Sequence, residues 1–136
     1  MKRFKLKKVV CLSLIVLLVV GMLAGCAGSD EYELEQSFER NFYPAEYEEE
    51  YSEIEKVIEL DENKDYKFAI RSTCKTGSLE ISSVYSGSDE AIRIVNSESP
   101  CDDTITLSAG TSDKITFTIH INADTEGSVI VEVLSR

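Results

Sequence analysis

From residue 54 to the C-terminus, apolar residues recur at every second position, and a chain with that period folds as β-sheet. The clearest stretch sets Ile115, Phe117, Ile119 and Ile121 against Lys114, Thr116, Thr118 and His120. Tyr66, Phe68, Ile70, Ser72 and Cys74 share one face of a strand whose other face carries Lys67, Ala69, Arg71 and Thr73. Shorter runs place Leu79, Ile81 and Tyr85 opposite Glu80 and Ser82, Ile92 and Ile94 opposite Arg93, and Ile105 and Leu107 opposite Thr104 and Thr106. Residues 129–134 are β-branched or apolar on both faces apart from Glu132, as an enclosed strand is. With a strand over 55–60 this makes about seven, separated by turn segments at 61–65, 76–77, 87–89, 98–103, 109–113 and 122–127. Seven short strands with no long amphipathic helix between them predict an all-β domain over residues 54–136. The expected architecture is a single antiparallel β-sandwich, immunoglobulin-like or jelly-roll.

The N-terminus obeys a different logic. Lys2, Arg3, Lys5, Lys7 and Lys8 precede an apolar run from Val9 to Leu23, the charged and hydrophobic regions of an export signal. Leu23, Ala24, Gly25 and Cys26 then resemble the lipobox of bacterial lipoproteins. The resemblance implies cleavage after residue 25, so that 1–25 is a signal peptide, and a diacylglycerol joined to the sulfur of Cys26. It implies in turn a lipid-anchored protein on the extracytoplasmic face of the cell membrane. Two other readings stay open: an uncleaved membrane helix over 9–28, and an ordinary signal peptide that releases a secreted chain.

Loss of residues 1–25 removes five basic residues and no acidic ones, leaving nine basic against 25 acidic residues and a formal charge of −16 instead of −11. Such a chain lacks the basic surface that nucleic acid or an anionic membrane face requires. Its 111 residues suffice for one modest core. With Cys11 in the leader and Cys26 lipidated, Cys74 and Cys101 remain as a pair, read as a disulfide worth roughly 3.5 kcal/mol. Two unpaired buried thiols are the alternative.

Residues 27–55 hold eleven acidic residues against Arg40 alone, which reads as a charged tether over 26–53. Yet six of the eleven aromatic residues lie there: Tyr32, Phe38, Phe42, Tyr43, Tyr47 and Tyr51. Tyr47, Tyr51, Ile54 and Ile58 recur at helical steps behind Pro44, so a short helix over 45–52 is expected, its aromatic face packed on the sandwich or offered to a partner. A fully flexible tether of that length would hold the domain about 30 Å from its anchor.

Signals of catalysis are sparse. The single histidine, His120, falls on the polar face of its strand, and no serine sits in a nucleophile elbow. Cys74, Cys101 and His120 are too widely spaced for a zinc knuckle. No cofactor and no catalytic residue is therefore expected. Calcium is the one ion the pattern admits: Asp61, Asn63 and Asp65 alternate as in the first half of a calcium loop, and Asp102, Asp103 and Asp113 would form a second group if their loops converged. Tyr66 and Ser72 stand where such a loop needs glycine and glutamate, so a polar turn accounts for the first group without an ion.

The order of acidic turn, aromatic strand and glycine-led hairpins over about 80 residues is similar to the small accessory sandwiches of secreted bacterial proteins, such as the pre-peptidase C-terminal type. This likeness implies a sandwich and assigns no functional residue. The expected function is a membrane-anchored, non-catalytic module that recognises an envelope protein or polysaccharide, with no nucleic acid partner. An envelope hydrolase or hydrolase accessory working through carboxylates, and a structural subunit of an envelope complex, are the competing readings.

Overall fold

A computed structural model describes residues 31–136; the expected signal peptide, with Cys11, and the expected lipidation site Cys26 lie outside these described residues. The chain forms eight strands: β1 (Glu33–Phe42), β2 (Glu53–Glu59), β3 (Tyr66–Thr76), β4 (Ser78–Tyr85), β5 (Ala91–Asn96), β6 (Cys101–Leu107), β7 (Lys114–Ile121) and β8 (Glu126–Ser135). They make two four-stranded sheets, in the orders β1-β8-β3-β6 and β2-β7-β4-β5. Every neighbouring pair is antiparallel.

In four of these pairs, β1 with β8, β2 with β7, β3 with β6 and β4 with β5, the strand numbers add to nine. The chain is thus one long hairpin, its tip at the β4–β5 turn, wound so that successive layers fall on alternate sheets. That is jelly-roll connectivity, which decides between the two expected topologies.

The alternating faces pack as their period dictates. Phe68, Ile70, Val131 and Val133 of the first sheet meet Ile81, Ile115, Phe117 and Ile119 of the second, all fully or almost fully buried. Phe117 is the aromatic centre, with Phe68 at 5.9 Å and Phe38 edge-on at 6.3 Å between ring centroids. The edge-to-face arrangement adds to the burial, because a ring's positive edge meets the negative face of its neighbour.

Three expectations change. Residues 33–42 are not tether but β1, registered along β8 from Glu33 opposite Ser135 to Phe42 opposite Gly127. The folded unit begins at Tyr32 rather than 54. Acidic side chains did not prevent this: β1 is an edge strand, so charges on its outer side stay in water, while Phe38 and Phe42 turn to the core. Charged edges also discourage pairing with another chain.

The second change is a reversed face. On β5, Ile92 and Ile94 point outward, 55% and 64% exposed, while Arg93 and the fully buried Val95 point in. A shift of one residue exchanges every side chain between faces, and Val95 is the residue the core selects. Third, Cys101–Asp103, read as turn, opens β6.

The sheet-to-sheet step between β3 and β4 is a single residue, Gly77, at φ +66°. A Cβ there would lie 2.7–2.9 Å from atoms of Asp124, so both conformation and space demand glycine.

Candidate ligand-binding groove

Between Phe42, the end of β1, and Glu53, the start of β2, the chain crosses from one sheet to the other. It does so in two 3-10 turns, Pro44–Glu46 and Glu49–Tyr51. Glu46 N–H donates to Tyr43 O at 3.0 Å and Tyr51 N–H to Glu48 O at 2.9 Å, closing the two turns. The helix expected over 45–52 does not form, because Tyr47 (φ −67°, ψ 130°) and Glu48 (φ −133°, ψ 128°) are extended between the turns. A helix of that length bears its full nucleation cost and would set Glu46 against Glu50 at a repulsive four-residue spacing. Ile54 and Ile58 then share a face through the period of two, as strand residues.

Ser52 O accepts the N–H of Ile121 at 2.9 Å, fastening the far end of the crossover to the end of β7. Under the crossover lies an open groove of about 170 Å³, lined by Arg40, Asn41, Phe42, Tyr43, Glu46, Tyr47, Glu48, Tyr51, Ile54 and Ile121. Phe42, Ile54 and Ile121 form an apolar floor packed into or against the core. Tyr43 and Tyr51 stand on the rim, 51% and 64% exposed, and Tyr47 is half-buried. Glu46, Glu48, Arg40 and Asn41 supply hydrogen-bonding groups in water. Exposed aromatic residues beside an apolar floor, with polar groups around them, suit a ring-shaped amphiphile. The volume is below the 300–1,000 Å³ of pockets that enclose drug-sized ligands, so the groove takes one ring or side group of something larger.

The aromatic residues of this groove were visible in the sequence as an anomaly of the acidic segment; their convergence was not. Ile121 gave no signal, because it meets the tyrosines only through the fastening of Ser52 to Ile121.

The candidate calcium ligands do not converge. Asp61 accepts the N–H of Asn63 at 2.9 Å and caps a tight turn. Asp65 accepts Ala109 N–H at 2.8 Å and Arg136 Nε–H at 3.2 Å, and these bonds, the amide first, hold its carboxyl below the usual carboxylate range. Asp102 and Asp103 lie at the start of β6, opposite Arg71 and Ile70, whereas Asp113 lies past the other end of β6, where its carbonyl accepts Leu60 N–H at 2.8 Å. Among the described residues no group of three His, Cys, Asp or Glu side chains is placed to hold a metal ion.

Cys74 and Cys101 are free thiols, not the expected disulfide. Cys101 stands directly opposite Ser72 on β3, which leaves Cys74 one diagonal step away on the same face. Diagonal partners stand about 7–8 Å apart, beyond the 3.5–4.5 Å between Cβ atoms that a disulfide spans. Burial pushes both thiols up, and Cys74 Sγ lies 3.0 Å from Thr76 O as a donor. His120 points outward as expected, 3.8 Å from Glu53.

No family model matches the chain, and no curated protein matches it. Two solved structures that align with it are carbohydrate-binding modules. One, described as "CBM4 structure and function", is 11% identical with a TM-score of 0.38, covering 83% of each chain. Another, a carbohydrate-binding module specific for non-crystalline cellulose, CBM28, is 13% identical with a TM-score of 0.36, covering 74% of this chain and 77% of its own. These superpositions are loose, and the assignment of a β-sandwich stands on the strand pairing itself.

Proposed function

We propose that this chain is a lipid-anchored, non-catalytic module of the cell envelope that binds a polysaccharide in the groove between β1 and β2. The observation that carries the reading is the groove: exposed tyrosines beside an apolar floor, with amide, guanidinium and carboxylate groups lining the same space. Glu46 and Glu48 are solvent-exposed and have no histidine beside them in the groove, which favours binding over acid–base catalysis.

The placement of β1 supports a presenting role. Tyr32, where the folded unit begins, is held between Lys67 Nζ at 4.3 Å and the Arg136 guanidinium at 4.6 Å from its ring centroid. The groove lies at the other end of β1, about 33 Å away for a ten-residue strand. Cys26 precedes Tyr32 by six residues, at most about 21 Å of extended chain. A lipid on Cys26 would therefore hold one end of the sandwich near the membrane and leave the groove at the other. The former tether is a rigid spacer in this reading.

The test is affinity electrophoresis of the chain from Ala27 to Arg136 in gels cast with a neutral glucan, a glucosamine polymer or a polyuronate. Retardation in at least one gel, lost in the Tyr43→Ala/Tyr51→Ala double variant, is the expected result. Unchanged mobility of the wild type in every gel would overturn the reading. Anchoring is read separately, as fatty-acid labelling that disappears in Cys26→Ala.

A further inference from the structure

Resting on that reading of the groove, we infer that the polymer it takes bears ammonium groups, as a glucosamine polymer with free amines does. Two features of the groove act together. Tyr43 and Tyr51 line the groove 51% and 64% exposed, with Tyr47 half-buried beside them, and the negative π-face of an exposed tyrosine attracts a cation placed over it. Glu46 and Glu48 line the same space, and Glu49 and Glu50 follow in the crossover, against one lining cation, Arg40. Among the described residues no ion pair engages any of these four glutamates, so their charge is available to a ligand.

Size and sign then narrow the occupant. A groove of about 170 Å³ seats one substituted ring, and the rest of a polymer must lie across its open side. An anionic uronate or phosphate polymer would be repelled there, while an N-acetylated sugar would gain from the tyrosines but not from the carboxylates. A free amine on a pyranose ring uses both. A chain of lysine side chains would satisfy the charge but would offer no flat ring to the tyrosine faces.

Calorimetry at low salt with tetramers of glucosamine, N-acetylglucosamine and galacturonate tests this, with tetralysine as the peptide control. The glucosamine tetramer should bind at least about tenfold more tightly than its acetylated form, and Glu46→Gln/Glu48→Gln should abolish that preference at an unchanged melting temperature. Tyr51→Ala should weaken both sugars. Equal binding of the acetylated and free tetramers would overturn the ammonium inference and leave the polysaccharide reading standing. Tighter binding of galacturonate would do the same. Tetralysine binding as tightly as the glucosamine tetramer would point to a basic protein and overturn the glycan assignment. If none of the four binds, the inference falls, and the polysaccharide reading then rests on electrophoresis with the neutral glucan.

Discussion

Arg93 of β5 donates through Nε to Asp103 of β6 at 2.6 Å, joining the edge strand of one sheet to the edge strand of the other. Arg93 Nη1 also donates to Ser83 Oγ at 3.1 Å, so the guanidinium bridges three strands along one open side of the sandwich. Its side chain is mostly buried and that of Asp103 half-exposed.

Arg93→Ala should therefore cost about 1–2 kcal/mol in urea unfolding, the lower part of the range for charged hydrogen bonds because the carboxylate retains water. The bond from Arg93 is the main cause that holds Asp103 below its ordinary value of 3.8. A depressed carboxylate contributes stability that is complete above the unfolded value and is lost as pH falls through the lower folded one. Stability measured from pH 5 down to pH 2 should fall less steeply in Arg93→Ala than in the wild type. Asp65→Asn should flatten the same window, since that carboxyl is also held low in the folded chain.

The reversed face of β5 makes a sharp contrast. Ile92→Thr and Ile94→Thr should each change stability by no more than about 0.5 kcal/mol, whereas Val95→Ala should cost about 2 kcal/mol. Thermal melts of the three variants decide it, and a large loss at Ile92 or Ile94 would restore the sequence-derived face.

A chain beginning at Glu53 should not fold cooperatively. It would lack β1, strip β8 of a partner along its length, and remove Phe38 from Phe117 and Phe42 from the core. A sigmoidal melt with dispersed amide resonances from that shortened chain would return residues 33–42 to the status of a tether.

Gly77→Ala should destabilise by more than 2 kcal/mol, combining left-handed backbone strain of about 1–2 kcal/mol with the approach to Asp124. Gly87→Ala has the strain alone, at φ +79° with nothing within 4 Å, and should cost about 1 kcal/mol. The difference between the two melting temperatures isolates the steric part.

In the chain from Ala27 onward, intact mass should not change on reduction, and alkylation in denaturant should add two groups, at Cys74 and Cys101. Native alkylation should be slow at both, since burial raises both thiols. A two-hydrogen gain on reduction would show the bridge that the register of β3 on β6 disfavours.

Much of the fold was legible locally. All seven strands read from the period of two are present, with Tyr66 and Phe68 buried and His120 exposed as their parity requires. Parity failed at β5 because the core takes Val95, and the same face lets Arg93 meet Asp103 across two strand edges, contacts no window of one strand contains. Asp103 does share parity with Ile105 and Leu107, and an inward acid on an edge strand was the available hint. The groove was legible only as a surplus of tyrosine in an acidic stretch.

By itself the sequence determined that this chain is β-sheet, where its seven C-terminal strands lie, and its strongly acidic charge, because alternation, turn chemistry and charge are properties of neighbours along the chain. Tertiary structure alone decided that an eighth strand precedes them, that the winding is a jelly roll, that Cys74 and Cys101 stand one diagonal apart, and that four aromatic residues and two glutamates share one groove. Those outcomes depend on strands far apart in sequence finding each other, β3 meeting β6 and β1 meeting β8 some ninety residues away. Pairing over that distance is set by the burial of a whole sheet face, which no local pattern encodes.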